Sequence, residues 1–367
     1  MRKITLETLT KELADGERNF DFTDFSKLDL SGMALVNMSF KSSDFAHANL
    51  SKCNLQGSDF ERANFKDANF ESADCTNAVM QRADFTKAQL VKTLFDHTDL
   101  RYANFKTALF SEVKFLAAMM IEANLEATEI PKCDFTDSDL SSAKLDKAKV
   151  EECVFFGTNL RNASLKKTNF TKANLKGTQL IRTNLKDAIF KEAEILKANM
   201  RNSLISYADF SDAQMTLVNL AKSKIRHAKF ERATIKECNF SDSDVNHSDF
   251  SQSHLIESNF SGSSINGVAF KLEELDCCSF LRTRLEGSDF TSIDIKQLAL
   301  DMPEADADED AQVNEEQMPP DETGADAGAI FQAEKEAKQK QNQAKAAGER
   351  PPARPVTKED LWPTKKR

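Results

Sequence analysis

Tyrosine and tryptophan are nearly missing from these 367 residues, two and one against 27 phenylalanines. Proline is nearly missing too until Pro303: only Pro131 precedes it, and seven of the eight lie at or after it. That skew argues against two or three ordinary globules, and the chain changes character near residue 300. No stretch approaches the roughly 18 uninterrupted apolar residues of a membrane span. The opening residues, MRKITLETLTKELADGE, put acids where a signal peptide needs an apolar run. A cytoplasmic protein with no membrane partner is expected, and secretion by a route without a cleaved signal stays open. There is no CxxC, no zinc-ligand spacing, no Ser/His/Asp arrangement and no glycine-rich phosphate loop. No cofactor, no metal and no enzymatic activity are therefore expected.

Charge of one sign is also lacking over most of the chain. Residues 301–367 hold 16 of the 59 acids and 10 of the 49 bases, which leaves residues 1–300 at a net charge of only −4. Such a balance gives no support to nucleic-acid binding.

What the chain does have is a period of five. From Phe20 to Leu300 every fifth residue is apolar, 57 positions without an insertion, and 24 of the 27 phenylalanines fall on them. Two residues before each sits a small residue, Ala, Ser, Thr, Cys or Val from Ser43 to Ser288 except at Glu273. Asp or Asn mostly lies between the two, and two polar residues follow. Five is too long for one strand and wrong for a helix. It suits an extended segment of about three residues followed by a tight corner, with the small and large residues inward and the Asp or Asn outward. Coils of such segments stack at about 4.8 Å and bury their apolar faces only against their neighbours, as in a solenoid.

ANFKD (63–67), ANLEA (123–127), ANLKG (173–177) and ADFSD (208–212) follow the pattern A(D/N)(L/F)xx, which resembles the pentapeptide-repeat family over residues 20–300. The resemblance implies an all-β fold, a right-handed quadrilateral parallel β-helix with four pentapeptides per coil. On that geometry the array makes about 14 coils and spans roughly 65–70 Å. Residues 20 apart then stack into columns. One reads Phe170, Phe190, Phe210, Phe230, Phe250, Phe270, Phe290; others read Phe25 to Phe105 by twenties and Phe95, Phe115, Phe135, Phe155. The 20-residue regularity supports four sides independently of the family.

Six of the seven cysteines sit on inward positions, Cys277 being the exception, and read as small buried hydrophobes. Cys133 and Cys153 face each other on adjacent coils, where parallel Cβ vectors suit a disulfide poorly. His227 and His247 share a corner and read as solvated side chains rather than a metal site. Function is to be sought where outward positions break the rule. On one side Leu94, Leu116, Val154, Phe156 and Leu196 replace polar residues, an apolar patch for a partner or a second copy in a homodimer. Another corner carries Arg62, Arg82, Arg101, Arg161, Arg182, Arg201 and Lys222, a stripe for an acidic partner.

Residues 1–19 are expected to cap the first coil with a short helix, since Ile4, Leu6, Leu9 and Leu13 are helically spaced and a solenoid's open edge needs cover. Residues 301–326 contain eleven acids and no base and read as disordered. Residues 330–347 read as a polar helix in need of a partner, and Trp362 as an aromatic anchor of a docking motif. These features point to a non-catalytic scaffold or adaptor for protein partners. The leading helix and long array also resemble accessory components of bacterial type VI secretion clusters. Two alternatives are a DNA-mimicking protector of type II topoisomerases, as in the quinolone-resistance branch of the family, and a secreted effector. The arginine stripe and near-neutral array depart from the acidic mimic.

Overall fold

In a pentapeptide that carries the outward Asp or Asn, as around Phe45, every backbone N–H finds a partner, and that accounting explains the repeat. In the coil around Phe45, the large residue's N–H donates to the carbonyl 19 residues on (Phe45 to Asn64, 2.7 Å). The second corner residue does the same (His47 to Lys66, 2.9 Å). The outward residue donates backward by 21 (Asp44 to Thr23, 2.9 Å), and the small residue closes the turn onto the large one (Ala48 to Phe45, 3.0 Å). One N–H per pentapeptide is left over, on the first corner residue. The outward Asp or Asn side chain accepts it, as Asp44 Oδ1 does from Ala46 at 3.0 Å. A buried orphan donor would cost about as much as a lost hydrogen bond, so Asp or Asn at this place is structural.

In the computed structural model, which describes residues 1–270 and 275–288, this unit repeats coil after coil in parallel register, with partners 20 residues apart from Asn19↔Ser39 to Ser264↔Arg284. Five residues per side and twenty per coil make four sides. Most sides contribute a single bridging residue. Strand β1 (Arg2–Lys3) pairs with β2 (Thr23–Asp24), and β3 (Gln89–Val91) pairs with β4 (Leu109–Ser111). On one side β5 (Glu194–Leu196), β6 (Gln214–Thr216), β7 (Thr234–Lys236), β8 (His254–Ile256) and β9 (Leu275–Asp276) form a five-stranded parallel sheet.

The large residues fill the axis. Phe170, Phe190, Phe210, Phe230 and Phe250 stack with centroids 4.6–5.0 Å apart, and Phe270 continues the column at 5.5 Å. The columns from Phe25 and from Phe95 stack as expected, and Phe20–Phe40–Phe60 and Phe240–Phe260–Phe280 are two more. Neighbouring columns meet edge-on, as Phe40 does with Phe45 (5.6 Å, 72°). Stacking along columns and edge contacts between them suit the ring quadrupoles. The small residues leave room, and where they are Ser or Thr the hydroxyl donates to a large residue's carbonyl, in the coil before as Thr158 does to Phe135 at 2.7 Å, or in its own turn as Ser138 does to Phe135 at 2.6 Å. Phe290, Glu273 and the segments 301–326 and 330–347 lie outside the described residues.

The N-terminal segment covers the first edge. Arg2 and Ile4 donate to the carbonyls of Phe22 and Asp24, standing in for a missing coil. Helix α1 (Leu6–Ala14) follows, capped by Thr5, whose hydroxyl accepts from the Thr8 N–H at 3.2 Å. Ile4 and Leu9 are buried and Leu13 packs against the core. Leu6 begins the helix and points outward, 45 % exposed.

The corners hold what the sequence does not advertise. Every described residue at the second corner position from Phe22 to Gly287 has φ between 51° and 72°, and only seven of these residues are glycine. The left-handed conformation costs a side-chain-bearing residue roughly 1–2 kcal/mol. Lys87→Gly, at an exposed corner with φ 60°, is therefore expected to stabilise the fold by about 1 kcal/mol. Gly177→Ala should destabilise it by a similar amount, since an added Cβ meets nothing nearer than the Gly157 backbone at 3.7 Å and only φ resists. Phe210→Ala, in mid-column, should cost about 3–5 kcal/mol. Urea midpoints measure all three, with circular dichroism remaining β-type.

Candidate functional site

Once the ladder and the core have taken their residues, only outward side chains remain free to act. The outward carboxylates are mostly committed to corner caps. Asp209 shows the balance: burial pushes its pKa up, but hydrogen bonds from Ser211 and the nearby Lys191 outweigh this and hold it below the usual carboxylate range. Among the described residues no three His, Cys, Asp or Glu side chains gather as a metal site, and no helix is long and apolar enough to cross a membrane.

The apolar side is interrupted. Leu94 and Leu116 are half-buried on consecutive coils, with Lys114 stacked beside Leu94. Val154 is half-buried and Phe156 is 42 % exposed, with Lys176 Nζ 5.8 Å from its ring centroid. Between the two pairs stand Asp134 and Thr136, hydrogen-bonded to each other. Leu196 is half-buried two coils past Phe156. The structure thus places Leu94 against Lys114 and Leu116 against Asp96, whose Oδ1 accepts from the Leu116 N–H at 3.1 Å, keeps Val154 and Phe156 on one coil, and sets polar residues among them.

The basic corner divides into two halves. Arg62 lies 3.6 Å from Glu61, Arg82 stacks over Tyr102 at 5.2 Å, and Arg101 makes a two-pronged bond to Asp99 at 2.9 and 2.8 Å. Arg161, Arg182 and Arg201 are exposed and make no ion pair among the described residues. The same side of the solenoid is flanked by a second corner, and there Lys166, Lys167 and Lys186 are exposed as well. Counting whole sides makes the contrast plain. Residues 161–167, 181–187, 201–207 and 221–227 hold nine cations and one carboxylate, Asp187. The same side of the six coils from 21–27 to 121–127 holds eight of each. Counted the same way, one adjoining side of the basic coils, 166–172 to 226–232, holds eight cations and five carboxylates, and the other, 156–162 to 216–222, holds six cations and none. In the middle of the basic side Leu204 and Tyr207 are exposed, 39 % and 52 %. Tyr207 stacks on His227 (4.9 Å) and His227 on His247 (5.2 Å), with Lys186 Nζ 5.9 Å from the tyrosine ring.

Reading one corner at a time found the arginines and missed the lysines and Tyr207. The signal was present: five residues separate the corners, so both flank one side. Trp362 lies outside the described residues.

All seven cysteines are free, and six are buried. Cys133 and Cys153 approach as a hydrogen bond, backbone N–H to Sγ at 3.3 Å. Burial pushes the Cys53 and Cys278 thiols up to about 11 and Cys238 to about 12, and it raises Cys75 and Cys153 as well. The exposed Cys277 is raised by its hydrogen bond to Asp276.

Two family models match the chain: "Pentapeptide repeats (8 copies)" over residues 19–57, 58–96, 88–126, 118–155 and 235–271, and "Pentapeptide repeat region" over 163–240. No curated protein matches. Among solved structures, the chain is similar to HetL, a pentapeptide repeat protein involved in heterocyst differentiation regulation from the cyanobacterium Nostoc sp. strain PCC 7120. The identity is 24 %, covering 57 % of this chain and 94 % of HetL, with a TM-score of 0.40. It is also similar to QnrB1, a plasmid-mediated fluoroquinolone resistance protein, at 19 % identity over 44 % of this chain and 85 % of QnrB1, TM-score 0.31. A pentapeptide repeat protein from the Arabidopsis thaliana thylakoid lumen is 28 % identical over 32 % of this chain and 68 % of its own, TM-score 0.16.

The raised thiols set a pH dependence. An unfolded thiol titrates near 9, so between pH 9 and about 11–12 the unfolded chain sheds protons that the folded chain keeps. Stability is expected to be full below pH 9 and to fall as pH rises through that window. Urea midpoints at pH 7.5 and 10.5 measure the loss, which Cys53→Ala with Cys238→Ala should reduce.

Proposed function

This chain belongs to the pentapeptide-repeat family, and from that premise we propose that it is a non-catalytic scaffold, a β-helical solenoid that binds other proteins through outward corner residues. The observation that carries this reading is the basic side between residues 161 and 227, whose lysines and whose arginines other than Arg226 are exposed and without a carboxylate partner among the described residues. The pairs Leu94–Leu116 and Val154–Phe156, with Leu196, form a second contact on a different side, for a protein partner or another copy of the chain. A scaffold needs two contacts that face different ways, and two sides of one coil supply them. Trp362 is a third contact in this reading, an anchor beyond the array. A cytoplasmic setting goes with the charged N-terminal segment. A place in a bacterial secretion cluster rests on the resemblance of the leading helix and long array alone, and the scaffold reading does not need it. A secreted effector would use the same surfaces.

Topoisomerase protection by DNA mimicry is the rival reading. A DNA mimic presents anions, whereas the most strongly charged side here presents cations. In a gyrase supercoiling assay with a quinolone, the full chain is expected to give no protection; protection would favour the rival. For the scaffold itself, the full chain immobilised as bait should enrich a specific protein over a bait of the same charge, and no such protein would sink it.

A further inference from the structure

The scaffold reading leaves open what kind of partner the basic side takes. Resting on that reading, we infer that the side flanked by Arg161, Arg182 and Arg201 on one corner and Lys166, Lys167 and Lys186 on the other binds an extended acidic segment of a partner protein, about six to eight residues long, with an apolar side chain at its middle.

Charge complementarity selects an anion. On one corner a cation stands on each of four coils about 4.8 Å apart, Arg161, Arg182, Arg201 and Lys222; on the other, Lys166, Lys167 and Lys186 stand on the first two, Tyr207 on the third and Arg226 on the fourth. Arginine's planar fork suits carboxylates, and the exposed lysines add charge without fixed geometry.

The ends of the patch select its length. Four coils span three steps, about 14 Å between Cα positions, and side-chain reach extends that to roughly 20 Å, the length of about six residues of extended chain. Acids bound the side: before it Asp146 stands between Lys144 and Lys147, and the coil before that holds Glu122 and Glu126 and no cation; after it come Asp242 and Asp244. Asp244 lies close enough to pair with Arg226. A nucleic-acid duplex carries one charge per roughly 1.7 Å without end, and lying along this side it would meet those carboxylates within two coils. The whole chain is at −10, so attraction to the patch is confined to about a Debye length of 8 Å.

The centre selects the chemistry. Leu204 and the Tyr207 ring are exposed there, and a sugar-phosphate backbone has nothing apolar to set on Leu204. An acidic peptide with one leucine or aromatic residue uses both features at once.

The test is fluorescence anisotropy of the full chain with a labelled octapeptide, Glu-Asp-Glu-Leu-Asp-Glu-Asp-Glu, in 50 mM salt. Saturable binding is expected. Arg182→Glu with Arg201→Glu should weaken it at least tenfold, and so should Lys166→Glu with Lys186→Glu from the opposite corner. Arg62→Glu with Arg82→Glu makes the same change in net charge on the balanced half of the side and should leave binding within about twofold. Glutamate is accepted at such corners, as at Glu122 with φ 57°, and circular dichroism melts confirm each fold. Replacing the peptide's leucine by serine should weaken wild type but not Leu204→Ser. Absence of binding, equal weakening by the Arg62/Arg82 pair, or tighter binding of a 20-base-pair DNA duplex lost in the Arg182/Arg201 variant would each overturn the inference. If the bait still enriches its specific protein in that case, only the acidic-peptide inference falls and the scaffold stands.

Discussion

The hydrogen-bond ladder between coils is the constraint from which the rest of this molecule follows. Each pentapeptide hands three of its five N–H groups to neighbouring coils and closes its own turn with a fourth. The remaining donor must be met by a side chain, which is why Asp or Asn recurs beside the large residue. Because the ladder is strict at 20 residues, a side chain never meets a random neighbour. It meets the residue one coil before and one coil after, in the same orientation. Columns of phenylalanine are therefore possible at all, and a ring placed on the grid finds a ring of the same tilt beneath it, as Phe190 and Phe210 do at 4.6 Å and 1°.

The same ladder imposes a cost at the corners. Each coil turns four times, and each turn puts a residue in the left-handed region. At most corners that residue is Lys, Glu, Asp, Asn or Arg rather than glycine. The strain is tolerated because it is over-determined: the N–H of the strained residue is itself part of the ladder, as in His47 to Lys66, and the residue before it is held by the Asp or Asn cap. Keeping side chains at the corners has a consequence for function. A corner of glycines would be easier to fold and would present nothing to a partner.

Legibility in the sequence followed the same division. Whatever the ladder dictates repeats, and repetition can be read: the inward grids, the phenylalanine columns, the four sides and the buried cysteines. The left-handed corners could not be read, because the usual signal is glycine and the chain does not use it. The leading helix is legible from the spacing of Ile4, Leu6, Leu9 and Leu13, while the exposure of Leu6 depends on its place at the first turn of α1. The site was legible by halves. Arg161, Arg182 and Arg201 stood out as a column, but their meaning depends on pairing, and only the coordinates separate them from Arg62, Arg82 and Arg101. Lys166, Lys167, Lys186 and Tyr207 were visible as letters and invisible as neighbours until the two corners were taken as edges of one side.

Net charge concealed this side, and stability does not explain it. In a stack of coils about 4.8 Å apart, like charges on adjacent coils are unfavourable and opposite charges mildly favourable, by tenths of a kcal/mol up to about 1. Another corner of this molecule follows that preference: Lys132 faces Glu152, Lys172 faces Glu192, and Asp212 faces Arg232. In the N-terminal half of the basic corner Arg62 and Arg101 meet acids from their own coils, Glu61 and Asp99. From Arg161 to Arg226 one side carries nine cations and a single carboxylate, Asp187: Lys186 stacks on Lys166 and Asp187 on Lys167, while Arg161, Arg182 and Arg201 alternate between the two columns of their corner. A solenoid free to choose would alternate there as it does elsewhere. Nine cations against one carboxylate across four coils, when one acidic residue per coil would restore the balance, is most simply understood as a surface whose missing anions are supplied by something else.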